Sequence, residues 1–123
     1  MPKKRVFISF DFDYDLNLKN LLAGQARNPD SPFEISDWSL KEAAPERDWE
    51  LQAYAKIIRS NIVVVVLGNH TSRASGVRKE VRMARNANIP VVQIKIQGTN
   101  PIHVDDAGVV YDWTWENLKR VLS

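Results

Sequence analysis

The sequence predicts an α/β domain: a three-layer sandwich around a five-stranded parallel sheet, strand order 2-1-3-4-5. Three observations carry that expectation. Ile62-Val63-Val64-Val65-Val66-Leu67 is an unbroken apolar run, largely β-branched and closed by Gly68-Asn69, the pattern of a strand covered on both faces. Strand-like and helix-like segments alternate along the chain with short connections, which favours parallel strands crossed over by helices. The length, 123 residues with 44% hydrophobic and 26% charged, suits one domain with its own core. A single domain over residues 1–123 is therefore expected.

The elements follow in order. Val6 to Phe10 is β-branched and aromatic and reads as the first strand. After the acidic turn Asp11 to Asp15, a helix over about 16–26 is expected, capped by Asp15. Leu18, Leu21, Leu22 and Ala26 would form its apolar side. Asn28 to Pro32 is rich in breakers, and Phe33 to Trp38 alternates as a second strand. A polar connection from Ser39 to Arg47, containing Pro45, leads to a helix from Glu46 to about Arg59. Trp49, Ala53 and Ile57 fall on one side of it, Leu51, Ala55 and Ile58 on another, so it is either sandwiched or meets another chain. The central strand follows, then a helix from Ser75 to about Asn88, with Ser75 as its cap, stopped by Asn88-Ile89-Pro90. Val91 to Ile96 is a fourth strand, Gly98 to Asp106 a loop, Val109 to Tyr111 a short fifth strand. A last helix starts near Thr114. Five strands in this alternation suggest a flavodoxin-like order.

Composition excludes several chemistries. With no Cys there is no disulfide scaffold, thiol nucleophile or thiolate metal site, and two His make a multi-histidine centre a poor fit. A net charge of +2 is too small to imply nucleic acid by itself. The apolar run after the basic start ends at Asp11, short of a secretory core, and no run approaches a spanning length. A soluble, cytoplasmic protein without a membrane partner is expected.

Ligands of such sheets bind beyond the carboxyl ends of the strands, between strands 1 and 3. That gathers Phe10 to Asp15, Trp38 to Glu42 and Gly68 to Ser75 around one mouth. Glu80 is the most informative residue. Val77, Val81, Ala84 and Ala87 form the apolar stripe of the third helix, and Glu80 projects into it. A carboxylate there is costly unless it is paired or faces a cavity; a salt bridge within the helix or a rim position would fit the same spacing. Asp11, Asp13 and Asp15 have the chemistry of a Mg²⁺ pocket. No acid ends strand 3 to complete a phospho-acceptor site, however, and Lys95 then has no partner there, so a solvated turn is preferred and no metal is expected. There is no GxGxxG, no GxxxxGK[ST] and no nucleophile elbow. His70 lies at the mouth. Arg73, Arg78, Lys79, Arg82 and Arg85 form a basic segment able to attract phosphate or an acidic partner, with Arg82 and Arg85 read as a solvated face. Trp38, at the end of strand 2, could stack on a flat ring.

Four pieces resemble the TIR-like family typified by the Thoeris anti-phage sensor proteins, over about Lys4 to Gln97. They are Arg5 to Phe10, Phe33 to Ser39, Ile57 to Gly68, and Thr71-Ser72 through Val77-Arg78-Lys79-Glu80-Val81. The resemblance implies a TIR-like fold and cleavage of NAD at the nicotinamide–ribose bond. It also implies a cyclic ADP-ribose-type signal to a separate effector protein, and self-association. NAD would be substrate; no cofactor is implied. Glu80 matches the family's catalytic Glu. Beside it, Phe10, Asp11, Trp38, His70 and Arg73 are the substrate-binding candidates, with Trp38 on nicotinamide or adenine and the amides after Phe10 with Arg73 on the pyrophosphate. The family often has Trp four residues before the Glu; this chain has Gly76. A non-catalytic TIR-like assembly module is the alternative.

Overall fold

The structure, a computed structural model, describes residues 2–40 and 46–123. Five strands, β1 (Lys4–Ser9), β2 (Phe33–Trp38), β3 (Ile62–Leu67), β4 (Val91–Lys95) and β5 (Val110–Asp112), form one sheet in the order β2-β1-β3-β4-β5. Every neighbouring pair is parallel. Four helices cover it: α1 (Leu16–Ala26), α2 (Glu46–Ile57), α3 (Ser75–Asn86) and α4 (Trp115–Val121). The expected fold class and strand order are therefore those observed. Part of the expected polar connection, residues 41–45, lies outside the described residues.

All six residues of β3 are buried. Its even-numbered side chains join Val6, Ile8, Leu22, Phe33 and Leu118 under α1 and α4. Its odd-numbered ones join Phe7, Ile57, Val77, Val81 and Ala84 under α2 and α3. The unbroken β-branched run thus fills both cores, as a strand with no solvent face must.

Three local expectations are corrected. Asp15 precedes α1 but makes no side-chain cap bond; its carboxylate turns inward to Thr71. The inward face of α1 is centred on Leu22, with Leu18, Ala23 and Ala26 packed beside it and Lys19 buried. Leu21 lies about 100° away from Leu22 and is 55% exposed. Ser75, expected as the cap of α3, is instead its first residue, and Ala74, which has no capping side chain, holds the cap position.

α3 ends as its sequence suggests. Asn88 takes a left-handed φ of 58°. The amide of Asn88 donates to the Arg85 carbonyl at 3.1 Å and that of Ile89 to Ala84 at 2.8 Å, the double bond of a Schellman stop. The loop between β4 and β5 is pinned from beneath by buried Gln93. Its Nε2 donates to the carbonyls of Val104 and Gly108 at 3.2 and 2.9 Å, while its Oε1 accepts from the Val104 amide at 2.8 Å. Among the described residues no helix is long and apolar enough to cross a membrane.

Candidate active site at the carboxyl ends of β1 and β3

Side-chain alternation decides what reaches the site. Phe7 faces the α2/α3 core, so Ser9, two residues on, faces it too. In β2 the register slips: Val6 pairs with Ile35 but Phe7 with Asp37. The bulge at Ser36 reverses the alternation. Ile35 packs on the α1 side, yet Asp37 lies with α2, 3.4 Å from Lys56. Trp38 returns to the α1 side with Lys19 Nζ 4.3 Å from its ring, and Ser39 points into the α2/α3 side.

Ser9 and Ser39 meet Glu80 there. Glu80 has no exposed surface, and its Oε1 accepts from Ser9 Oγ at 2.7 Å and from Ser39 Oγ at 2.6 Å. Ser39 Oγ in turn accepts from the Phe10 amide at 3.1 Å. A buried carboxylate is tolerable when charge-assisted hydrogen bonds replace water; two hydroxyls from two strand ends do so here. The inward placement expected from the helical stripe is the observed one, with Val77, Glu80, Val81 and Ala84 the buried residues of α3.

Above this carboxylate opens a cleft of about 420 Å³, within the range of small-molecule sites. Phe10, Asp11, His70, Arg73 and Glu80 all border it, together with Tyr14, Ser39, Trp49 and Gly76. Five of the six expected site residues are thus brought together. Trp38 is not: the bulge sends its ring to the opposite face of the sheet. Trp49 supplies the aromatic wall, buried and anchored by Nε1 donating to the Leu40 carbonyl at 3.1 Å. His70 stacks on Tyr14 with ring centroids 3.8 Å apart.

The turn after β1 closes on itself. The amides of Tyr14 and Asp15 donate to the Asp11 carbonyl at 3.2 and 2.8 Å, and that of Asp13 to Asp11 Oδ1 at 3.1 Å. Of the amides after Phe10 expected at a pyrophosphate, those of residues 13–15 are engaged within the turn. Asp15 is buried beneath the turn, where Thr71 Oγ1 donates to its Oδ2 at 3.1 Å. Desolvation raises its carboxyl above the ordinary 3.8; the Thr71 bond opposes this, nearby Asp11 adds to it, and His70 opposes it. Among the described residues no group of three or more His, Cys, Asp or Glu side chains is placed to hold a metal ion.

Ser9 and Trp49 lie outside the segments expected at the mouth, while Tyr14 and Ser39 lie within them but carry no expected role. Ser9 was legible in principle, since a small polar residue ending a buried strand shares the face of Phe7. Ser39 was not, because its direction depends on the bulge.

The fold and the cleft define a doubly wound, flavodoxin-like domain with its site at the switch point between β1 and β3. The family described as Thoeris protein ThsB, TIR-like domain, matches residues 7–101; the chain belongs to this family. The fold is also similar to the crystal structure of a 3-dehydroquinate dehydratase-like protein from Bifidobacterium longum. The two are 17% identical, with a TM-score of 0.54 over 98% of this chain and 95% of that one, a likeness of fold alone. No curated protein matches the chain.

Proposed function

We propose that this TIR-like domain cleaves NAD at the nicotinamide–ribose bond and so makes an ADP-ribose-type signal, cyclic or open. A separate effector would read that signal in cytoplasmic anti-phage defence. The observation that carries the reading is the Glu80 carboxylate, buried at the floor of the cleft and oriented by Ser9 and Ser39.

The chemistry needs little else. As the glycosidic C–N bond breaks, nicotinamide leaves with the electron pair and the ribose becomes oxocarbenium-like, to be captured by water with loss of a proton for the open product or by a nucleophilic atom of the same ADP-ribosyl group for a cyclic one. A preorganised carboxylate stabilises that charge where it develops. Glu80 and Ser39 both border the cleft, so a ribose hydroxyl bound there can donate to the carboxylate. Trp49 and the Tyr14–His70 pair offer flat surfaces to a ring, and Arg73 a charge to the pyrophosphate. Gly76 borders the cleft and carries no side chain where the family often has an aromatic one. The test is incubation of concentrated protein with NAD and separation of the nicotinamide and ADP-ribose products, with and without phage-infected cell extract.

One observation favours a second reading, a non-catalytic assembly module. Leu51, Tyr54 and Ile58 are 61%, 43% and 48% exposed along one side of α2, a stripe suited to another chain. Absence of turnover in every assembly and infection condition would select that reading.

A further inference from the structure

The other side of α3 carries a feature that the cleft above Glu80 leaves unused. Arg78, Arg82 and Arg85 are all exposed. At about 100° per residue they fall within roughly 60° of one another, and they span about 10 Å of the helix axis. They line a second cleft, about 710 Å³, whose opposite wall is the segment from Ile102 to Asp106.

That wall is built, not draped. Val104 and Ala107 are buried in the α2/α3 core, and Gln93 holds the backbone at Val104 and Gly108. Arg85 ties the end of the cleft, its Nε donating to the Asp106 carbonyl at 2.6 Å. Arg78 and Arg82 have no ion-pair partner among the described residues. Like charges four residues apart destabilise a helix. The pair borders a concave space where an anion would relieve the repulsion.

We propose that this cleft binds a nucleoside polyphosphate. Guanidinium groups bind phosphate oxygens through paired N–H donors, and Arg78 and Arg82 supply two such forks side by side. Ile102 is 75% exposed and the His103 side chain 64%, so the rim offers an apolar edge and a flat ring to a base. The chain's net charge of only +2 does not favour a long polyanion such as nucleic acid. The proposal is independent of NAD cleavage, because Val77 and Glu80 face the first cleft while Arg78, Val81, Arg82 and Arg85 face this one.

Isothermal titration calorimetry with ATP tests it, with inorganic tripolyphosphate as the base-free arm. Wild type binds ATP saturably, and tripolyphosphate competes. Arg78→Gln/Arg82→Gln weakens both by about tenfold or more; the single Arg82→Gln moves them the same way and carries the test if the double variant does not fold. Ile102→Ser weakens ATP alone. Arg27→Gln, a distant exposed charge at the end of α1, leaves both unchanged. No saturable binding, or ATP binding that survives loss of both arginines, overturns the proposal. So does tighter binding of a single-stranded oligonucleotide that is lost in the same arginine variants.

Discussion

Ser39 Oγ donates to Glu80 Oε1 at 2.6 Å, joining the end of β2 to the second turn of α3 across 41 residues of sequence. The same oxygen accepts from the Phe10 amide, so one hydroxyl links three segments of the site.

Ser39→Ala removes that link while leaving a buried carboxylate to be satisfied. Loss of a hydrogen bond to a charged, buried group costs about 1.5–3 kcal/mol. Urea unfolding of Ser39→Ala should show a loss in that range, and Ser39→Thr, which keeps the hydroxyl, should recover most of it. Equal stability of wild type and Ser39→Ala would mean that the bond holds nothing in place.

This link also marks where sequence reasoning stops. The β3 run announces a strand buried on both faces, and the spacing of Val77, Val81 and Ala84 turns Glu80 inward. Both follow from fixed periods of about 2 and 3.6 residues. Trp38 and Ser39 depend on one extra residue in β2, which reverses every side chain after Ser36. Nothing in Phe33 to Trp38 signals the bulge, so the tryptophan is lost from the site and the serine gained. The self-closed turn at residues 11–15 is hidden for a similar reason: whether an Asp side chain caps a helix or turns inward depends on Thr71, 56 positions away.

Gly68 shows how closely that turn is packed. A Cβ at Gly68 would overlap the Asp15 carboxylate, which cannot swing aside without losing Thr71. Gly68→Ala should cost about 1–3 kcal/mol, the usual cost of overpacking. The two sites touch, so the effects should not add: in an Asp15→Ala background the same substitution should cost clearly less. A cost that is identical in both backgrounds would separate Gly68 from Asp15.

Asp15 should also make stability depend on pH. Burial raises its folded carboxyl above the ordinary 3.8, so the folded chain holds this proton more tightly than the unfolded chain. Its contribution is therefore most favourable below 3.8 and is lost as pH rises through the interval from there to the raised value. Asp15→Asn keeps an acceptor for Thr71 and removes the titration. Urea unfolding at a series of pH values should find the variant gaining on wild type as pH rises through that interval, then levelling off. A difference independent of pH would contradict this account of Asp15.

The central claim rests on the charge of Glu80, and NAD turnover by Glu80→Gln tests it most directly. The amide keeps the size of the side chain and an oxygen for Ser9 and Ser39, so folding should survive. Losing one preorganised charge should cost about 3–4 kcal/mol at the transition state, or about 10²–10³ in rate. NAD binding should weaken far less, because the ground-state ribose carries no such charge. Lys119→Gln, exposed on α4 away from the cleft, should match wild type. Nicotinamide release by each purified variant, under conditions where wild type turns over, is the measurement. A fall of that size confined to Glu80→Gln is the predicted result; equal turnover by Glu80→Gln and wild type would remove Glu80 from the chemistry.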